Sequence, residues 1–394
     1  MPDVIVIGGG LIGACAAWQL AERGADVMLL ERGALASGAT SRSQGLLVPS
    51  DHAPVAPLFE RSNRLYDELA DAAGIDLGLD RTPIGTLTLA SDESQLELLA
   101  RAPRMDGELL GAAGVRAAEP ALADTVAGGL LSPHGRRSDP GAMTAAAAIA
   151  ATAAGARVRR HVEVRRITER AVISDEGVDR ADVILIAAGA WSRPLARGTG
   201  HDLPIRPVRG WLAVTAPRPP LLRHIIYEAD YTVPAGPQPG QAVTLSALAV
   251  GDLASGGASA AHALGAHQNA DGSIMIGASR SVALREGDES IEALRETAAR
   301  ACRLAPALAS VEVATTWTGL RPFSADGLPY IGRLEPWLVV CAGHGSEGIL
   351  SGAGSAQLAA QIALDEQPFT DPAPFSPGRI AGPPVTGRRA AAVD

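Results

Sequence analysis

Three glycines and one glutamate near the start of the chain have the types and spacing of a site for a phosphate-containing ligand. Gly8, Gly10 and Gly13 follow the apolar run Val4–Ile7 and precede an amphipathic stretch. The first glycine permits a tight turn, the second lets backbone approach a pyrophosphate, and the third allows close packing of a helix whose N-terminus favours the anion. Glu31 ends the next apolar run, where its carboxylate would accept hydrogen bonds from ribose hydroxyls. The pattern therefore predicts a bound dinucleotide.

Four later stretches would suit such a ligand or its reaction partner. The loop 37–46 is rich in hydroxyl residues and contains an arginine, and residues 182–192 end an apolar run in Ala-Gly-Ala-Trp. Residues 316–332 place Arg321 between apolar residues and glycine, which suits either an ion pair of the fold or a fork for a carboxylate. Residues 341–349 run from an apolar stretch through glycines toward a helix, whose N-terminus would favour negative charge.

The elements that would position these residues follow from the periodicity of apolar side chains. The pattern predicts helices over 57–73, 140–154, 291–304 and 354–364, and strands over 86–90, 183–187, 208–216, 225–233, 273–278 and 338–341. Parallel-sheet signals occur at the N-terminus and again late in the chain, whereas antiparallel signals fill the middle. A dinucleotide domain interrupted by a mainly antiparallel domain explains that order. The segment 234–266 is too long and too rich in small residues for a hairpin loop, so we interpret it as an insertion.

Composition argues against several classes of function. The 394 residues carry a net charge of −9, which disfavours nucleic acid or an anionic membrane surface as a partner. The three cysteines lack metal-ligand spacing, so no metal site is expected. The first strand begins at residue 4, which leaves no room for a secretory signal, and no apolar stretch is long enough for stable membrane insertion. We therefore expect a cytoplasmic protein, with residues 381–394 forming a disordered tail.

Taken together, the motifs resemble those of the D-amino acid oxidase superfamily of FAD enzymes. Its members include glycine oxidase, D-amino acid dehydrogenases and the flavoprotein subunits of proline, hydroxyproline and opine dehydrogenases. The likeness runs from Val4 to about Pro374 and rests on the first glycine motif with Glu31, SGATSR, AAGAWS, GLRPFSADGLPYIG and GHGSEGI. The segments PVRG at 207–210 and YTVP at 231–234 also match.

The resemblance implies an α/β fold in which a Rossmann-like FAD-binding domain of the GR2 type is interrupted by a mainly antiparallel α+β substrate domain. We therefore expect two domains, whose boundaries we infer from the positions of the motifs. The FAD-binding domain would comprise 1–80, 136–205 and 312–380, and the substrate-binding domain 81–135 and 206–311.

The resemblance also implies the reaction. In this family, FAD takes a hydride from the carbon that bears the amine of an amino acid or other amine, and the imine then hydrolyses to a keto acid or aldehyde or remains cyclic. Arg321 would grip the substrate carboxylate, Tyr231 would line the substrate pocket and His344 would lie near the flavin, and these are the expected catalytic residues. No dedicated base is needed if the amine arrives neutral.

The expected FAD contacts come from the same motifs. Backbone of residues 345–349, at the start of the last helix, would stabilise negative charge on the flavin. The residues expected to bind FAD are Gly8, Gly10, Leu11, Ile12, Gly13, Glu31, Arg32, Ala39, Thr40, Ser41, Arg42, Gln44, Gly45, Leu46, Val164, Ala188, Gly189, Trp191, Gly319, Arg321, Gly343, His344, Gly345, Ser346, Glu347, Gly348 and Ile349.

Two positions depart from the family pattern. In glycine oxidase the segment that corresponds to 343–349 carries a second arginine, whereas this chain has Ser346 and Glu347. A simple glycine-type substrate is therefore in doubt, and Glu347 faces either a cationic substrate group or solvent. The sarcosine oxidase branch attaches FAD through a cysteine near the GLRP motif, but here Thr315 and Thr316 precede Trp317, so we expect non-covalent FAD.

Three alternatives stay open at this point. A Rossmann dehydrogenase that uses NAD would explain the first 31 residues and none of the later motifs. A flavoprotein subunit of a hetero-oligomeric dehydrogenase would pass electrons to a partner or quinone instead of O2, and the insertion and HQNADG at 267–272 favour that version. A non-catalytic flavin-binding scaffold would not need Arg321. The sequence does not determine the substrate, its stereochemistry or the electron acceptor. It also does not determine whether the protein forms a homo-oligomer.

Overall fold

A sheet of six strands gathers apolar runs from both ends of the chain. The computed structural model describes residues 1–49, 52–72, 74–101, 106–229, 260–261, 264–277, 279–282 and 292–380. The strands of this first sheet lie in the order Tyr330–Glu335, Leu338–Ala342, Val183–Ile186, Val4–Ile7, Val27–Glu31 and Arg157–Arg160. All neighbours pair in parallel except Tyr330–Glu335, which is antiparallel to Leu338–Ala342 at the edge.

Both faces of the central strands are covered, which explains why their sequences are unbroken apolar runs rather than alternating ones. Val4 and Val6 belong to one core cluster, whereas Ile5 and Ile7 belong to the other. The short helix Ser192–Arg197 covers the second cluster. The first cluster is shared with the helices Leu11–Ala21, Ala56–Ala72, Pro140–Ala153 and Gly352–Ala363.

The alanine-rich helix shows how local sequence sets a boundary. Its predicted range of 140–154 agrees with the observed Pro140–Ala153. Asp139 caps its N-terminus by accepting hydrogen bonds from the backbone N–H groups of Gly141 and Ala142, at 2.8 and 3.0 Å. Pro140 occupies the first helical turn, where a missing N–H costs nothing.

A three-stranded antiparallel sheet follows the strand Arg157–Arg160 and has no counterpart among the predicted elements. It consists of Val164–Thr168, Ala171–Ser174 and Gly177–Arg180. The strands are short, and the two outer ones are mostly exposed, so their apolar pattern is weak. The turn residues between the last two strands, Asp175 and Glu176 before a glycine with φ +130°, are the signal that would have located the hairpin.

A second, ten-stranded sheet is built mainly from the middle of the chain. Its strands run in the order Ala260–Ala261, Arg280–Val282, Arg206–Thr215, Ile274–Gly277, Gly265–Gln268, Ile225–Glu228, Thr86–Ala90, Gly128–Ser132 and Glu108–Gly111. Pairing is antiparallel except between Ile225–Glu228 and Thr86–Ala90. The remaining described helices are Glu93–Ala100, Ala112–Ala118 and Glu292–Leu304. The predicted fold class, an α/β unit interrupted by a mainly antiparallel one, is confirmed.

The tenth strand of the second sheet, Val313–Phe323, is called the long strand below. It pairs antiparallel with Arg206–Thr215, every residue of which has a partner. The predicted domain limits assign residues 312–323 to the FAD-binding domain, but this continuous ladder places them in the second sheet. Only the end of the long strand reaches toward the first sheet, through a single bridge between Phe323 and His344.

Smaller elements complete the described chain. Leu46–Leu47 pairs with Arg136–Arg137 in a two-stranded sheet. Single 3-10 turns occur at Ala53–Val55, Gly189–Trp191, Pro306–Ser310, Ala373–Phe375 and Pro377–Arg379. Within the ranges given above, no helix has both the length and the apolar character to cross a membrane. The predicted tail and most of the predicted insertion lie outside the described residues.

Candidate active site

A cavity of about 510 Å³ lies at the carboxyl edge of the first sheet. Four parallel strands end at its wall, contributing Ile7, Leu30, Ala187 and Ala342. In open sheets of this kind, ligands bind in the crevice outside the carboxyl ends of the strands. The volume is in the usual range for a small-molecule or cofactor site.

The glycine motif forms the tightest part of this wall. Gly8 has φ +111°, and a Cβ there would lie 2.5 Å from the carbonyl oxygen of Ala187. A Cβ on Gly13 would lie 3.0 Å from the backbone carbon of Gly8 and closer still to its oxygen. Gly13 therefore lets the helix reach the strand but does not itself line the cavity, whereas Gly10 and the first helical residues do.

Glu31 holds the turn that contains these glycines. Its carboxylate accepts a hydrogen bond from the N–H of Gly9 at 2.6 Å and another from the N–H of Gly33 at 2.8 Å. Each oxygen keeps further lone-pair capacity, and the side chain lines the cavity. The Glu31 carboxylate is thus oriented by two backbone N–H groups, one earlier and one later in the chain.

Arg32 and Trp191 form a contact that the sequence does not reveal. The guanidinium carbon of Arg32 lies 3.7 Å from the centroid of the Trp191 ring, and both side chains line the cavity. The arrangement is a cation–π pair, which holds a flat, positively charged surface beside Glu31.

The serine-rich loop divides into two parts. Residues 37–40, Arg42 and Ser43 line the cavity, and the Thr40 hydroxyl accepts a hydrogen bond from the N–H of Leu11 at 3.1 Å. The predicted FAD ligands Ser41, Gln44, Gly45 and Leu46 do not line it. Leu46 instead pairs with Arg137 in a small sheet, and Gln44 donates to the carbonyl of Gly265 at 3.1 Å.

Arg321 reaches the cavity from the long strand. Its guanidinium lies across Gly210 of the neighbouring strand and donates to the carbonyl of Ser279 at 3.2 Å. Arg42 approaches the same strand and donates to the carbonyl of Thr318 at 3.1 Å. The cavity therefore presents two cationic side chains next to the long strand.

His344 follows the strand Leu338–Ala342 and Gly343, and its backbone bridges to Phe323 of the long strand. Its side chain lines the cavity and is only 2% exposed. Burial lowers the pKa of the imidazole from 6.5 to about 3, so the ring is neutral at physiological pH. A group with that pKa is a poor proton acceptor for an ammonium ion.

The segment 345–350 consists of turns, and the last helix begins at Gly352. The prediction that residues 345–349 start the helix was therefore wrong. Tyr66 bonds the backbone on both sides of the helix start. Its hydroxyl donates to the carbonyl of Ile349 at 2.6 Å and accepts from the N–H of Ala353 at 3.2 Å.

Glu347 differs from its neighbours in this segment. Gly345, Ser346, Gly348 and Ile349 line the cavity, but Glu347 does not. Its carboxylate instead lies 3.3 Å from Nδ1 of His52. The Glu347 side chain is partly exposed, so it faces both solvent and His52, and its proposed contact with a cationic substrate group stays a prediction.

Most of the predicted FAD ligands meet in this one cavity. Those that line it are Gly8, Gly10, Leu11, Ile12, Glu31, Arg32, Ala39, Thr40, Arg42, Val164, Ala188, Gly189, Trp191, Gly319, Arg321, Gly343, His344, Gly345, Ser346, Gly348 and Ile349. Tyr231 lies outside the described residues. Lining residues that the sequence analysis missed are Ile7, Leu30, Ser37, Gly38, Ser43, Val162, Glu163, Arg165, Ala187, Ala190, Pro194, Leu195, Leu320, Pro322, Cys341 and Ala342. The ends of the apolar runs would have pointed to several of these.

The geometry fits a bound dinucleotide. Glycines keep the wall free of side chains where a Cβ would collide with backbone, and the N-terminus of Leu11–Ala21 faces the cavity. Glu31 lies beside the cavity, and backbone hydrogen bonds orient both of its carboxylate oxygens. In the part of the chain that the structure describes, no cluster of histidine, cysteine and acidic side chains is placed to hold a metal ion.

Comparison with known proteins identifies the family to which the chain belongs. A family model described as FAD dependent oxidoreductase matches residues 3–362. Glycine oxidase of Geobacillus kaustophilus is 29% identical over an alignment of 403 positions, covering 96% of this chain and 97% of that protein. The crystal structure of glycine oxidase from Geobacillus kaustophilus superimposes with a TM-score of 0.81 at 27% identity, covering 97% and 99% of the two chains.

A more distant structure shares the fold. L-proline dehydrogenase from P. horikoshii has a TM-score of 0.77 at 21% identity, covering 95% of this chain and 96% of that one. The likeness to glycine oxidase extends over nearly the whole length of both proteins, and the family match includes every predicted site residue. The chain belongs to the DAO family of FAD-dependent oxidoreductases, and FAD is its cofactor.

Proposed function

We propose that the protein oxidises the C–N bond of an amino acid or a secondary amine that carries a carboxylate. The observation that carries this proposal is the position of Arg321, which enters the FAD-binding cavity from the second sheet. When bound, FAD accepts the hydride from the carbon that bears the amine. The imine product would hydrolyse to a keto acid or aldehyde, or remain cyclic.

Arg321 would bind and orient the substrate. A guanidinium presents its N–H donors as a rigid fork that matches a carboxylate. The bond to the carbonyl of Ser279 and the bare backbone of Gly210 fix the direction of the side chain. Because the guanidinium is already held, less conformational entropy is lost when a carboxylate binds.

The turn segment 345–349 would supply backbone donors toward the anionic cofactor ring. The N–H of Gly345 is bonded to the carbonyl of Pro322 at 2.9 Å, and the N–H of Glu347 to the carbonyl of His344 at 2.9 Å. The candidates in this segment are therefore the amides of Ser346, Gly348 and Ile349, all of which line the cavity.

Proton transfer does not require a residue of this chain. His344 has a pKa of about 3 and cannot take a proton from an ammonium group near neutral pH. We therefore expect the substrate amine to bind in its neutral form. We expect kcat/KM to rise with pH up to the pKa of the substrate amine, without a bell-shaped contribution from an enzyme base.

Anaerobic mixing with a panel of substrates tests the proposal. The panel would contain D- and L-amino acids, proline derivatives, opines and N-methyl amino acids, each matched with its decarboxylated amine. Bleaching of the flavin absorbance by a carboxylated compound, and weaker bleaching by its amine analogue, is the expected result. Arg321→Met should remove this preference, whereas Arg101→Met, which changes an exposed side chain, should not. A flavin that no member of the panel bleaches would count against amine oxidation.

The electron acceptor separates two versions of this function. Admitting air after anaerobic reduction distinguishes an oxidase from a dehydrogenase that needs a quinone or a partner subunit. The segment HQNADG is the sequence feature that favours the partner version. Its Gln268 side chain already makes hydrogen bonds within this chain. The side-chain oxygen of Gln268 accepts from the N–H groups of Leu221 and Leu222 at 2.6 and 3.1 Å, and its amide donates to the carbonyl of Gly272 at 2.9 Å.

A further inference from the structure

Several buried polar side chains in the described part of the chain have atoms without a hydrogen-bond partner, and among them His344 is the one that lines the cavity. Within the part of the chain that the structure describes, neither Nδ1 nor Nε2 has a hydrogen-bond partner. The side chain is 2% exposed and lines the cavity. A neutral imidazole carries one donor and one acceptor, so both groups are left unsatisfied at the cavity wall.

Other histidines of this chain show what a structural role looks like. The ring of His224 lies 2.8 Å from a carboxylate oxygen of Glu119, and that of His267 lies 3.1 Å from the amide oxygen of Asn269. Each therefore contributes at least one bond to the fold. Burying a polar group without any partner is costly, and a native structure rarely retains one without a ligand or a function.

The backbone around His344 fixes where the ring lies. Gly343 has φ +87°, a conformation that favours glycine. On the other side, the N–H of Gly345 donates to the carbonyl of Pro322 at 2.9 Å, and His344 itself bridges to Phe323. The backbone of His344 is thus held between the end of a first-sheet strand and the end of the long strand, and its side chain is buried at the cavity wall.

We propose that His344 hydrogen-bonds the polar edge of the bound flavin ring as a neutral donor and acceptor, so that its ring nitrogens are satisfied only in the holoprotein. The flavin is favoured over the substrate because His344 follows a strand of the first sheet, whose carboxyl edge holds the other cofactor residues. The inference rests on FAD binding alone and does not depend on the proposed substrate class.

The proposal predicts opposite effects on the two forms of the protein. His344→Phe removes the unsatisfied groups while keeping a flat ring, so the melting temperature of the apoprotein should stay the same or rise. FAD should bind the variant about tenfold more weakly, since one or two hydrogen bonds are lost. The visible bands and the midpoint potential of the bound flavin should shift. His344→Gln keeps a donor and an acceptor and should restore most of the FAD affinity.

His267→Phe is the matched control, because His267 is also buried but has a partner and lies outside the cavity. It should lower the melting temperature of the apoprotein and leave the affinity for FAD unchanged. The proposal is overturned if His344→Phe behaves like this control. It is also overturned if His344→Phe leaves FAD affinity, spectrum and potential unchanged. All decisive measurements are made without substrate, so failure of the proposed reaction would not be mistaken for failure of this inference.

Discussion

Gly210→Ala offers a test of how Arg321 is positioned. A Cβ at residue 210 would lie 2.7 Å from Cζ and 2.8 Å from Nη2 of Arg321, and closer still to Nη1. These three guanidinium atoms are the heavy atoms nearest to the added Cβ. Ordinary contact begins at 3.4 Å, so the whole guanidinium must move by the better part of an ångström or more. The fold should tolerate the change, because only the end of a flexible side chain has to yield.

The expected cost falls on substrate binding. A hydrogen bond to a charged group contributes about 1.5–3 kcal/mol, so loss of the Arg321 fork should raise the dissociation constant of a carboxylated substrate about 10- to 150-fold. Stability should stay level or improve slightly, since alanine restricts the unfolded chain more than glycine does. Titration of anaerobic holoprotein gives the dissociation constant, and thermal unfolding gives the stability.

A double-mutant cycle with Arg321→Met decides whether the effect passes through the guanidinium. If it does, adding Gly210→Ala to Arg321→Met should cause no further loss of affinity. An equal loss in both backgrounds would refute the reasoning, as would an unchanged dissociation constant in Gly210→Ala alone. FAD affinity should be the same in all four proteins.

Three further predictions address the cofactor site and its response to pH. Gly13→Ala should abolish tight FAD binding and lower the melting temperature, because its Cβ would collide with the backbone of Gly8; Gly111→Ala, which meets no atom within 4 Å, should do neither. Glu31→Gln should weaken FAD binding about tenfold in a titration of the apoprotein, since one of two charge-assisted acceptors is lost. Burial lowers the pKa of His344 to about 3, whereas the unfolded value is 6.5. The unfolded chain alone takes up that proton as pH falls below 6.5, so apoprotein stability should fall by up to about 1.4 kcal/mol per pH unit, and His344→Phe should lose less stability between pH 7 and pH 5.

Short-range patterns in the sequence predicted many helices and strands, because the interactions that form these elements are local. The strand predicted at 338–341 is observed at Leu338–Ala342, and the helix predicted at 291–304 at Glu292–Leu304. The roles of Gly8 and Gly13 were also readable, since a strand, a turn and a helix that pack directly leave room only for hydrogen.

Features that depend on distant partners were not readable. The last helix was predicted over 354–364 and is observed at Gly352–Ala363, but the sequence does not reveal that the Tyr66 hydroxyl, far away in the chain, bonds the backbone at its start. The stacking of Arg32 on Trp191 joins two segments that share no local pattern. Gln44, a residue type common among cofactor ligands, is instead bonded to Gly265, which only the assembled structure reveals.

The long strand has a consequence for how such an enzyme can change. Arg321 and Phe323, the residue that bridges to His344, lie two positions apart at the end of this strand, so the proposed carboxylate-binding group and the backbone around His344 are held at a separation of about 7 Å along one extended segment. A swing of one sheet relative to the other would bend this strand rather than separate its two ends. New substrates are therefore more readily accommodated by replacing side chains that alternate along the strand than by moving one unit against the other. A one-residue insertion within the strand would turn Arg321 to the opposite face and abolish the alignment at once.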